Sequence, residues 1–175
     1  MLGNLSISRG TARGTRLIQP SKDNTRATSN KVRQAIVNIL QFELKGKSVL
    51  DLFAGSGAFG LECLSAGAAS CSFVDWQTID VIEENLEKTE LSGDLNSVDF
   101  RDYLEFCDKQ YDIIFLDPPY DTNYIEIALN MIHARKLARD YIICETDREL
   151  DIKNFEVLDI KKYGNTFIYI LKGDI

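Results

Sequence analysis

The chain is poor in histidine, proline and tryptophan, with one His (His133), three Pro and one Trp in 175 residues. A single imidazole leaves little from which to build a zinc site, since such sites draw on His and Cys in clusters. The four cysteines, Cys63, Cys71, Cys107 and Cys144, are scattered and form no C-x-x-C pair, which excludes the familiar metal and dithiol spacings. Buried, reduced thiols are the expectation, as in a cytosolic protein. No apolar run approaches the roughly 20 residues that span a bilayer, and the polar, basic N-terminus lacks the apolar stretch of a secretory signal. Repeats and low-complexity tracts are missing too. With 45% hydrophobic and 27% charged residues, the composition is that of an ordinary globular protein, and the length suits one domain with a short extension. A cytoplasmic protein without metal or membrane is expected, and nothing in the chain demands a dimer.

An excess of positive charge is also lacking, for the formal net charge is −7. Taken whole, that argues against a nucleic-acid partner. The distribution reverses the impression. Residues 1–48 carry nine Lys/Arg (Arg9, Arg13, Arg16, Lys22, Arg26, Lys31, Arg33, Lys45 and Lys47) against Asp23 and Glu43, while the remainder carries eleven against twenty-five acids. The expected division is a basic arm and helix, residues 1–47, on an acidic body, residues 48–175. Arg9, Arg13, Arg16, Arg26 and Arg33 are the candidate phosphate contacts of the arm. The competing role for each is to pair with the acidic body and hold the arm down.

From residue 48 onward, short apolar runs alternate with helix-like segments. Residues 48–53 (SVLDLF), 71–74 (CSFV), 95–100, 111–116 (YDIIFL) and 141–144 read as strands. Between them, residues 58–66, 78–88, 102–107 and 125–138 carry helical spacing, with Gly67 as a C-terminal cap. Residues 155–160 and 166–171 flank Tyr163-Gly164-Asn165 and predict an antiparallel hairpin. Ahead of the body, residues 15–19 predict a short strand, and residues 29–42 a helix capped by Thr28 or Ser29. Strand–helix alternation implies right-handed crossovers and an α/β fold: a doubly wound, mostly parallel, seven-stranded Rossmann-like sheet with an antiparallel C-terminal edge. Ligands of such sheets sit beyond the carboxyl ends of the strands.

Two loops fall on that edge. The first, Asp51-Leu52-Phe53-Ala54-Gly55-Ser56-Gly57-Ala58-Phe59-Gly60, holds G-x-G-x-x-G between a strand and a helix. Such glycines let backbone turn tightly and approach a ligand, but dinucleotide enzymes share the device. Asp51 tilts the choice, because a carboxylate there repels a pyrophosphate and suits a cationic amino group such as that of a methionine moiety. Phe53, Ala54, Gly55, Ser56 and Gly57 complete the candidate cofactor loop. Asp75 closes the second strand, placed for ribose hydroxyls. Asp102 follows the third and is a candidate for an adenine amine. Helix capping is the alternative task of each acid.

The second loop is Asp117-Pro118-Pro119-Tyr120, at the end of the fourth strand. An amino group on a nucleobase is a poor nucleophile, because its lone pair is delocalised into the ring. The Asp117 carboxylate and the Pro118 carbonyl offer two acceptors that hold both N–H bonds and aim the lone pair at an incoming methyl group. Pro119 stiffens the turn, and Tyr120 supplies a face on which a base stacks. A base reaches such a recessed site only when flipped out of its helix or loop.

Together these motifs resemble the Rossmann-like amino-methyltransferases, whose signature is Asp/Asn-Pro-Pro followed by an aromatic. More specifically, the chain resembles the bacterial 16S ribosomal RNA guanine-N2 methyltransferase family over nearly its whole length. Ile7, Gly10, Arg13, Gly14 and Leu17 match that family's opening pattern, and Asp51–Gly57 matches its cofactor motif without a gap. Ala27 stands where the family has proline, Gln34 where it has glutamate, and Tyr120 where phenylalanine is frequent. The resemblance implies S-adenosylmethionine as cofactor, and as substrate a guanine in small-subunit ribosomal RNA, free or in an assembling particle. Three rivals remain: a DNA adenine-N6 methyltransferase, which usually carries a larger recognition region; a nicotinamide-dependent oxidoreductase, supported by glycine spacing alone; and a non-enzymatic ribosome-binding module, which predicts a damaged catalytic loop.

Overall fold

The computed structural model describes residues 4–21 and 30–175. Among the described residues, seven strands and five helices follow one another as α1 (Asn30–Leu40), β1 (Ser48–Asp51), α2 (Ala58–Ser65), β2 (Ser70–Val74), α3 (Ile79–Thr89), β3 (Asp94–Asn96), α4 (Phe100–Phe106), β4 (Tyr111–Leu116), α5 (Tyr124–Arg135), β5 (Ala138–Thr146), β6 (Val157–Tyr163) and β7 (Thr166–Lys172). They form a single sheet in the order β3-β2-β1-β4-β5-β7-β6. β1 pairs in parallel with β2 on one side and β4 on the other, so the winding reverses direction between β1 and β4. That reversal opens a crevice at the carboxyl edge. β7 runs antiparallel between β5 and β6, as the terminal hairpin requires. The doubly wound reading of the sequence is correct.

Both faces of the central strands are covered, which is why β1 and β4 are almost continuously apolar, while the edge strands β3 and β6 stay largely exposed. Val49, Phe73, Ile113, Phe115 and Ile143 face one core, packed with residues of α1, α2 and α3. Their alternates Leu50, Val74, Ile114, Leu116 and Ile142 face the other, packed with α4 and α5.

The N-terminal segment joins the first core instead of hanging free. Leu5, Ile7, Ala12 and Leu17 are buried in it. Ile7 N–H donates to Thr15 O (3.0 Å) and Leu17 N–H to Leu5 O (2.8 Å), which folds residues 5–17 into a loop. Thr11 N–H donates to the Ser65 carbonyl (3.0 Å), docking that loop on the end of α2. Gly10 sits so close there that a Cβ would lie 1.7 Å from Ser65 O. The strand expected over 15–19 is reduced to one isolated bridge, Ser6 with Arg16.

Other boundaries moved for local reasons. α5 stops at Arg135, short of the expected 138, because Lys136 takes a left-handed turn (φ +53°) and Leu137 N–H donates back to Ile132 O (3.1 Å). This Schellman-type stop keeps Leu137 buried, so the apolar pattern runs on past the helix. β3 ends at Asn96 and not at 100, because Asp99 caps α4 by accepting from Arg101 N–H (2.9 Å). The caps proposed for α1, Thr28 and Ser29, lie outside the described residues.

Candidate active site

A cleft of about 510 Å³ opens at the carboxyl edge, where β1 and β4 diverge. Asp51, Phe53, Ala54, Gly55, Ser56, Asp75, Asp117, Pro118, Pro119 and Tyr120 all line it. The fold therefore brings together both loops that the sequence singled out.

The glycine loop owes its shape to a division of labour. Gly55 (φ +56°) and Gly57 (φ +79°) turn the backbone through the left-handed region. Gly60 is needed for a different reason: a Cβ on it would lie 2.4 Å from the Phe73 ring and 2.6 Å from Cys71 Sγ, so only glycine lets α2 pack this closely on β2. Asp75 braces the loop from the neighbouring strand. Its Oδ2 accepts from Gly55 N–H (3.1 Å), and its Oδ1 from Gln77 N–H (2.8 Å) and Thr78 N–H (3.1 Å). Thr78 Oγ1 closes the ring by donating to Gly55 O (2.6 Å). Asp75 is thus both a loop brace and a wall of the cleft.

Asp51 is 1% exposed, and its Oδ2 accepts from Gly60 N–H (3.1 Å). Burial pushes its pKa up to about 7 against that hydrogen bond, and the nearby carboxylates of Asp117 and Asp75 push the same way. Three carboxylates around one cleft make a poor bed for a pyrophosphate and a good one for a cation. Aromatic residues line the cleft as well. The Phe53 ring lies 4.9 Å from Phe100 and 6.3 Å from Tyr124. Trp76, 66% exposed, and Val98 extend this apolar surface at the mouth.

Two sequence expectations need correction. Asp102 lies in the first turn of α4, exposed and away from the cleft; the acid on the lining is Asp99. Because α4 begins two residues earlier than its apolar spacing suggested, each residue shifts along the helix. The pattern of Asp99 ahead of Phe100, a helix-capping signature, was the available signal. Arg33 is no surface phosphate contact either. It is 0% exposed, donates to Ser6 O from Nη2 (2.7 Å) and stands 3.5 Å from Glu62 through Nε.

The other arginines differ among themselves. Arg9 is laid along α1, donating to Asn38 Oδ1 and Gln41 Oε1. Arg13 and Arg16 are exposed. Arg26 lies outside the described residues. Glu62, buried in α2, drew no notice from the sequence, although it is the one charged residue of an otherwise apolar helix. Gly57 lies behind the lining, where it turns the loop into α2.

Comparison with known proteins follows the same lines. The chain is 32% identical over 157 residues to "Putative rRNA methyltransferase YlbH" of Bacillus subtilis, covering 85% of each chain. It is 29% identical over 174 residues to "Ribosomal RNA small subunit methyltransferase D" of Haemophilus influenzae, covering 93% of this chain and 90% of that one. Among solved structures, "Putative methyltransferase yhhF from Escherichia coli" superposes with a TM-score of 0.87 at 25% identity, covering 98% and 99% of the two chains. A family model described as "Conserved hypothetical protein 95" matches residues 5–172, and the chain belongs to that family.

Proposed function

We infer that this protein is an enzyme that transfers a methyl group from S-adenosylmethionine to the exocyclic N2 amine of a guanine in small-subunit ribosomal RNA. One observation carries the reading: Asp117-Pro118-Pro119-Tyr120 lines the same switch-point cleft as Asp51 and the glycine loop. The ribosomal RNA substrate is supported by the names of the two sequence relatives, and guanine N2 by the resemblance of the motifs.

The residues present suit that cofactor. Asp51 is a buried carboxylate for an α-ammonium group, Asp75 is a carboxylate on the cleft wall for ribose hydroxyls, and Phe53, Trp76, Val98 and Phe100 give apolar surface for an adenine. Asp99, in place of Asp102, is the acceptor at the adenine end. When bound, S-adenosylmethionine supplies an electrophilic methyl on a sulfonium with a neutral thioether as leaving group.

The chain itself supplies position and charge. Asp117 and the Pro118 carbonyl accept the two N–H bonds of the amine, which holds the nitrogen lone pair toward the methyl. As the N–C bond forms, positive charge grows on nitrogen, and Asp117 stabilises it until a proton departs. Tyr120 stacks on the base and keeps it out of its own helix. Arg13, Arg16 and Arg26 remain the candidate phosphate contacts.

The test is mass mapping of methylated nucleosides after incubation with S-adenosylmethionine and free 16S RNA, small ribosomal subunits or duplex DNA. N2-methylguanine in either RNA arm supports the reading. N6-methyladenine in the DNA arm moves the assignment to the DNA enzymes, and no methylation anywhere leaves the non-enzymatic module.

A further inference from the structure

Beyond Pro119 the chain turns sharply, with Asp121 in the left-handed region (φ +63°). A non-glycine residue holds that conformation at a cost, and it persists where neighbouring groups fix it. Here two side chains do so. Thr122 Oγ1 donates to the Pro119 carbonyl (2.7 Å), closing the turn around Tyr120 and Asp121. Arg148, on the connection that follows β5, donates from Nη2 to the Thr122 carbonyl (3.2 Å). The same guanidinium pairs with Glu126 in the first turn of α5 (2.7 Å). Asn123, at the start of that helix, makes no capping bond with its side chain. Arg148 therefore ties the entry to α5, and with it the loop after β4, to the end of the neighbouring strand β5.

This ion pair lies open to water, with side-chain exposures of 41% for Arg148 and 38% for Glu126. Pairs so exposed add little to stability. Its geometric effect is larger. Pro119, Tyr120 and Asp121 line the cleft, and Tyr120 is the platform on which the base was placed above. A small shift of the turn misplaces the base amine relative to the methyl donor, and small misplacements slow reactions steeply.

We propose that Arg148, acting through Thr122 and Glu126, is a positioning residue that holds Tyr120 where it presents the target base for methylation. The proposal rests on the methyl-transfer reading above. It sets Arg148 apart from the arginines of the N-terminal arm, whose expected partners are phosphates.

The test is a double-mutant cycle of Arg148→Ala and Tyr120→Ala. Its readout is the single-turnover methylation rate at saturating S-adenosylmethionine, with saturating free 16S RNA or small ribosomal subunits. Arg148→Ala should lower that rate about tenfold when Tyr120 is present, and less than about twofold once Tyr120 is alanine. Affinity for S-adenosylhomocysteine and the melting point should stay close to those of wild type. Glu126→Gln, which still accepts from the guanidinium, should keep most of the rate. Arg148→Lys, which lacks the fork to reach both acceptors, should fall between, and it decides in the same cycle if the alanine variant does not fold. Equal losses in the two Tyr120 backgrounds overturn the proposal. So does a lowered melting point at an unchanged rate, which makes Arg148 a brace. Weaker RNA binding with a flatter salt dependence, at an unchanged saturated rate, overturns it too and makes Arg148 a phosphate contact. Each of these leaves the methyl-transfer reading standing. A wild-type protein that methylates neither RNA removes that reading and the proposal together.

Discussion

Asp51→Asn tests the electrostatics of the cleft directly. The carboxyl is 1% exposed and its pKa is raised from 3.8 to about 7. About three units correspond to about 4 kcal/mol, the cost of ionising Asp51 in the ligand-free fold relative to the unfolded chain. Between pH 4 and 7 the folded protein holds a proton that the unfolded chain has released. Ligand-free stability therefore falls as pH rises through that window and levels off above it. Asparagine has no proton to lose and still accepts from Gly60 N–H, so the slope should vanish. A bound ammonium group reverses the sense, because it stabilises the ionised carboxylate. Affinity for S-adenosylhomocysteine should climb up to pH 7 and level off above it, once Asp51 is ionised without help from the ligand. At pH 7.5 the variant should bind more weakly by about 2 kcal/mol or more, close to 30-fold, since a charge-assisted contact becomes a neutral one. Scanning calorimetry from pH 4.5 to 8.5 and titration calorimetry over the same range provide both curves. Parallel melting profiles for wild type and variant, or an affinity that ignores pH, would refute the reasoning.

Asp117→Ala should abolish methyl transfer while leaving cofactor affinity within about twofold, because its proposed partner is the base amine; single-turnover assays with titration calorimetry check both halves. Tyr120→Phe should retain most activity, since stacking needs the ring, whereas Tyr120→Ala should cost about 1–3 kcal/mol in apparent RNA affinity or rate. Gly60→Ala should lose about 1–3 kcal/mol of stability by driving a methyl into Phe73 and Cys71, read as a melting point lower by several degrees. Neutralising Arg13 and Arg16 together should weaken RNA binding and flatten log K against log salt by about 0.7–0.9 for each phosphate no longer paired with an arginine. A lowered melting point with an unchanged salt slope would make these two arginines braces and send the RNA surface elsewhere.

The fold was legible because period and punctuation agreed along most of the body. Strands buried on both faces, such as β4 with Ile113, Ile114, Phe115 and Leu116, leave no polar side and stand out as apolar runs. The two loops were legible because each follows such a run and holds residues that only a sharp turn accommodates. Errors fell where a helix begins or ends on side-chain and backbone hydrogen bonds. The apolar pattern of 98–100 reads as strand, which puts Asp102 rather than Asp99 beyond its end. In the structure Val98 turns to the cleft, and Phe100 is already helical. The double duty of Asp75 was hidden for another reason, since its hydrogen bonds to Gly55, Gln77 and Thr78 are contacts of folded backbone.

Arg33 shows where counting charges misleads and where spacing would have served better. Nine basic residues before position 49 suggested an outward-facing arm. Yet Arg33, Ile36, Val37 and Leu40 stand at i, i+3, i+4 and i+7, one stripe of α1, and every one of them is buried. A charge on the core-facing stripe of a helix must find a partner of opposite sign, because an unpaired one is costly to bury. α2 holds such a partner, Glu62, alone in its helix. Two lone charges on two apolar helix faces are therefore readable as a pair from sequence. Removing either partner of a buried pair costs about 3–5 kcal/mol, so each is held by stability whatever else it does. What the pairing does not account for is the donor left over at Nη1. Through Ser6 O and Glu62, the same guanidinium ties the N-terminal segment and α1 to α2.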